Sequence, residues 1–123
     1  MVITDVAQLS RECNAWRETL RSWRDEFGQL KQRLIDVAAR QTTREDLVEV
    51  DHLDNQLHIQ LINIHDLKHA IKSHTRKIEA ETARGQLNED TAASHENLFD
   101  EYQHLEHTIQ EVKQEFRDFV SRS

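Results

Sequence analysis

Apolar residues recur along this chain at alternating steps of four and three. In the first third the series is Val2, Val6, Leu9, Cys13, Trp16, Leu20, Trp23, Phe27, Leu30, Leu34 and Val37, without a break. That is an a/d seam of about five heptads, the pattern by which helices pack as a left-handed coiled coil. The last third repeats it with His95, Leu98, Tyr102, Leu105, Ile109, Val112, Phe116 and Phe119. The middle keeps one strict column, Val50, Leu57, Ile64, Ile71 and Ile78, and a mixed one, Leu53, Gln60, Leu67 and His74. Leu47 and Leu61 are expected to widen that face.

The interruptions are equally legible. Thr42-x-x-Glu45 has the form of a capping box and is expected to start the second helix. Gly85 suits a left-handed helix end, and Asn88, followed by Glu89 and Asp90, suits the next N-cap and first turn. The pattern predicts helices over roughly 5–40, 43–84 and 89–121, each about 50–60 Å long. Short connections make consecutive helices antiparallel neighbours. The fold class expected is therefore all-α: one domain, residues 1–123, forming an elongated antiparallel three-helix bundle with left-handed coiled-coil packing. No helix can bury its own stripe, so the three share one narrow core.

Composition agrees with long helices. The 123 residues include no proline and only two glycines, Gly28 and Gly85. Gly28 interrupts the first helix and would permit a close backbone approach. The net charge of −7 is unevenly spread: residues 85–123 hold nine acidic and three basic side chains. Such a segment repels phosphate and argues against nucleic acid as a partner. Cys13 is the only cysteine, so no intrachain disulfide forms. No 18-residue apolar run occurs, and the expectation is a cytoplasmic protein without a membrane contact.

With three long heptad helices and Trp16, in "NAWRETL", in the core of the first, the architecture resembles a spectrin repeat. That resemblance implies a scaffold or spacer role without catalysis.

The candidate chemistry lies in the eight histidines. Glu49-x-x-His52 and Glu101-x-x-His104 have the spacing of di-metal carboxylate bundles. If antiparallel helices turn near residues 42 and 87, however, His104 faces a position about 27 Å of helix from His52. His65-x-x-x-His69 and His95 through Asp100 are similar to two ligand motifs of the hemerythrins, but His52 is followed by Gln56 where that family has glutamate. The remaining candidate is a polar core layer of His74, Tyr102 and Cys13, with a His74–Tyr102 hydrogen bond. Cys13, His74 and His95 offer a zinc-ligand set, yet His95 maps about one helical turn from His74. No metal, cofactor or catalytic residue is expected.

A second row runs along the outside of the middle helix: Val48, His52, Asn55, Ile59, Ile62, Asp66, His69 and Ser73. Ile59 and Ile62 lie at its centre, with His52, Asn55, Asp66 and His69 around them, as in a small two-fold interface with an apolar middle and polar rim. An antiparallel homodimer through this face is expected. A basic row, Arg17, Arg21, Arg24 and Lys31, is expected to pair with acidic residues of the third helix such as Glu101 and Glu115. The leading expectation is a non-enzymatic protein acting through protein–protein contacts, as a homo-oligomer or adaptor. The alternative is a metal-binding protein using surface or interfacial histidines.

Overall fold

A computed structural model describes residues 6–122. Val2 and the expected helix start at residue 5 lie outside them. Three helices run α1 Val6–Ala38, α2 Arg44–Ala83 and α3 Glu89–Arg122. They form the expected all-α three-helix bundle, with α2 packed along both neighbours, while the backbones of α1 and α3 seldom approach each other. The heptad seams are the buried stripes. Cys13, Leu20, Phe27, Leu53, Leu57, Ile71, Ile78 and Ile109 are completely buried. Leu47, in contrast, is 44% exposed. It follows the seam by one position, and one residue of helix rotates a side chain by about 100°.

The α1–α2 connection differs by one residue from the capping box expected at Thr42. The last turn of α1 extends to Gln41, whose amide donates to the Ala38 carbonyl at 3.1 Å. Its side chain donates to the Val37 carbonyl at 3.0 Å. Thr43 is extended, at φ −88° and ψ 149°, and its hydroxyl accepts from the Asp46 amide at 3.1 Å. Glu45 and Asp46 fall in the first turn, where the helix dipole favours negative charge.

The α2–α3 connection is a Schellman turn. Gly85 has φ 78°, its amide donates to Thr82, and Gln86 donates to Glu81. Gly85 is thus used as expected. Around Gly28 there is open space, and no other backbone comes close. The Asn88 carbonyl then accepts from the Thr91 and Ala92 amides and begins α3, as expected of an N-cap position.

This turn is held by a buried carboxylate that the sequence pattern did not single out. Glu81 accepts from the Asn88 amide at 2.8 Å with one oxygen and from the Thr91 hydroxyl at 2.6 Å with the other. Those two bonds hold its pKa below the usual carboxylate value.

Between α1 and α3 the gap is filled by aromatic rings. Trp16 stacks on His95, Phe99 and Tyr102, and Trp23 stacks on Tyr102. Bulky rings keep two parallel helices apart while closing the core between them. No helix among the described residues is long and apolar enough to cross a membrane.

Candidate functional site

Each helix delivers one side chain to a buried polar layer: Cys13 from α1, His74 from α2 and His95 from α3. All three are seam positions, so the heptad pattern itself turns them inward. His74 Nε2 lies 3.0 Å from His95 Nδ1, and Cys13 Sγ lies 3.9 Å from the same nitrogen. Their nearest ligand atoms are all within 4.8 Å of one another.

The expected layer is thus partly changed. Cys13 and His74 belong to it, but the partner of His74 is His95 and not Tyr102. Tyr102 is half-buried and stacks on the two tryptophans. The shift is about one helical turn and originates in the α2–α3 connection. Glu81 is bonded to Asn88 and Thr91 across the turn, and the pairing of His74 with His95 centres the reversal near Gly85 rather than residue 87.

Outside the layer, His95 Nε2 lies 3.3 Å from Glu12 Oε2. A carboxylate accepts only, so His95 donates through Nε2–H, and in the neutral ring Nδ1 carries the lone pair. His74 then donates Nε2–H to it. The other oxygen of Glu12 accepts from the Gln8 amide at 3.1 Å. The indole of Trp16 lies 4.8 Å from the His95 ring, centre to centre, and fixes its plane. Burial, and then the neighbouring His95, push the His74 pKa below its ordinary value. Burial raises the Cys13 thiol, against a smaller opposing effect of the Thr75 hydroxyl. Burial thus disfavours the charged forms of both His74 and Cys13.

The remaining six histidines, His52, His58, His65, His69, His104 and His107, are exposed. His52 is turned towards α3, where its Nε2 lies 3.2 Å from Glu115 Oε2. His104 lines an open groove of about 670 Å³ between α2 and α3 together with Asp66, Asp100 and Glu101. Among the described residues, Cys13, His74 and His95 are the group whose ligand atoms converge. Neither Glu-x-x-His pair and neither hemerythrin-like pair does so.

Compared with protein-family models, curated proteins and solved structures, the chain matches none.

The outer row of α2 is open at its centre. Ile59 is 38% exposed, Ile62 47% and Val48 60%. Asn55, Asp66 and His69 beside them are exposed as well.

The basic row of α1 makes different contacts from those expected. Arg21 pairs with Glu18 and Arg24 with Asp25, both within α1. The ion pair between α1 and α3 has the opposite polarity, Lys113 to Glu26 at 3.0 Å. Arg17, Arg21 and Arg24 instead gather near Lys68 and Lys72 of α2. Burial and these four cations lower the Lys68 pKa. Glu115, an expected partner of the row, is already taken by His52.

Two of the site residues that pattern reading passed over carried a signal. Glu81 lies seven positions after His74, and Thr91 four before His95, so both continue the seams. Glu12, beside Cys13, carried none, because its role depends on which face of His95 meets α1.

Proposed function

We propose that this chain is a non-enzymatic helical-bundle protein of the cytoplasm that acts through contacts with helical partners, a second copy of itself first among them. The observation that carries the reading is the outer face of α2, where Ile59 and Ile62 stand 38% and 47% exposed among polar neighbours. Paired antiparallel across a two-fold axis between residues 60 and 61, the two isoleucines of each copy would cover one another. Asn55, Asp66 and His69 would form the rim. The narrow core, one side chain thick, and the open grooves beside it favour contact over catalysis.

The test is sedimentation equilibrium of the full chain and of the double variant Ile59→Glu/Ile62→Glu. The wild type is expected to sediment as a dimer and the variant as a folded monomer. A wild-type dimer that survives the double substitution rules out this face, and a wild-type monomer at high concentration rules out self-association.

A further inference from the structure

We propose that Cys13, His74 and His95 form a metal site that takes zinc(II) through one thiolate and two imidazoles. The site is separate from the outer face of α2 and does not depend on it.

The donor set fits a borderline ion. Thiolate and imidazole together select zinc over magnesium or calcium, which prefer oxygen ligands. Three helices supply one ligand each, so the bundle has already met most of the ordering cost. Bond lengths of about 2.3 Å to sulfur and about 2.0 Å to nitrogen place tetrahedral ligand atoms roughly 3.3–3.6 Å apart. The observed His74–His95 separation of 3.0 Å opens by a few tenths of an ångström to reach that range, and the Cys13–His95 separation of 3.9 Å closes by a similar amount. The widest separation is at most 4.8 Å. It closes by about 1 Å, within reach of side-chain rotation.

The second observation is the support behind His95. Its outward nitrogen donates to Glu12 at 3.3 Å, and its ring is clamped by Trp16. A carboxylate on the far nitrogen of a histidine fixes the tautomer that presents a lone pair to a metal and raises its basicity. Here that lone pair is on Nδ1, the atom facing both His74 and Cys13.

Binding balances simply. Zinc(II) displaces the thiol proton of Cys13, which leaves to solvent. His74 moves its proton from Nε2 to Nδ1 and so exposes the Nε2 lone pair, with no net proton change. The bound centre carries one positive charge, offset by Glu12, and a water completes four ligands. Its approach route is the shallow groove of about 350 Å³ where His74 meets solvent beside Ser73, Ser94 and Asn97. Lys77 lines the same groove, and Arg17 is the cation near Cys13. Both disfavour a cation and set an upper bound on affinity.

The experiment is a titration of the metal-free, full-length protein with cobalt(II), followed by displacement with zinc(II). The expected result is a thiolate-to-cobalt charge-transfer band that saturates at one equivalent per chain and vanishes with zinc. Cys13→Ser, checked for folding by circular dichroism, should remove the band. Glu12→Gln should keep it and weaken binding about 10- to 100-fold. The surface variant His58→Gln/His65→Gln should leave both unchanged. Because Cys13→Ser alters a fully buried side chain, wild-type Cys13 is also alkylated with and without zinc, and protection is expected. Absence of the band in folded wild type, or binding lost in His58→Gln/His65→Gln but kept in Cys13→Ser, overturns the proposal. So does an unchanged alkylation rate.

Discussion

The two ends of the core follow one heptad pattern and differ in how much polar material they bury. Towards the α1–α2 turn the buried positions are Phe27, Leu34, Val37, Leu53, Leu57, Ile109, Val112, Phe116 and Phe119. Towards the α2–α3 turn the same seams carry Cys13, His74, Glu81, Thr91 and His95 among Leu9, Trp16, Ile71 and Ile78. Burying hydrocarbon stabilises the first end without regard to direction. The second end adds directional bonds to its apolar contacts, His74 with His95, His95 with Glu12 and Glu81 with Thr91. A heptad pattern states which positions are inside. The chemistry placed there decides whether that end serves cohesion or specificity.

The largest break in this contrast should come from the apolar end. Phe116→Ala removes a ring that is 1% exposed and should cost about 3–5 kcal/mol. Urea denaturation should show the midpoint falling at unchanged slope.

Acid should act on the other end. His74 has a folded pKa below its ordinary value of 6.5. Its contribution is therefore complete above pH 6.5 and is lost as pH falls through that value towards the folded pKa. Glu81 is likewise lowered from 4.5, so its contribution is complete above pH 4.5 and disappears as pH drops through its folded pKa. Urea midpoints of the metal-free protein between pH 8 and pH 3 should fall in two stages. Thr91→Val, which removes one donor to Glu81, should shrink the second stage and leave the first. A midpoint that is flat from pH 8 to pH 5 would show that His74 does not resist protonation.

The smallest effect belongs to the turn at the apolar end. Thr43→Ala removes a single N-cap bond and should cost about 0.5–2 kcal/mol. The loss should be equal at pH 7 and pH 5, because no titrating group takes part. A pH-dependent loss would mean that the two turns are coupled through α2.

The seams and helix ends were legible because burial in a bundle depends on periodicity, which is a local property of sequence. Helix bounds differ from the pattern by no more than two residues among the described ends. The partner of His74 was not legible. Which α3 residue stands opposite depends on where the chain reverses, and the bonds of Glu81 across that turn were not part of the pattern. A carboxylate at that position reads as the polar end of a helix, although it lies seven residues after His74. The ion pairs were equally hidden. Arg21 and Arg24 have carboxylates nearby on α1, and long flexible side chains settle on near neighbours before distant ones.

Three passes are an odd number. The amino-terminal end of α1 lies by the α2–α3 turn. The end of α3 lies by the α1–α2 turn, where Val120 and Arg122 share a groove with Val37, Arg40 and Thr42. The described chain therefore enters at one end of a rod about 50 Å long and leaves at the other. Tension between those ends draws α1 one way and α3 the other. The load falls in shear on the packing of α2 against both neighbours and on the rings of Trp16, Trp23, His95 and Tyr102 between α1 and α3.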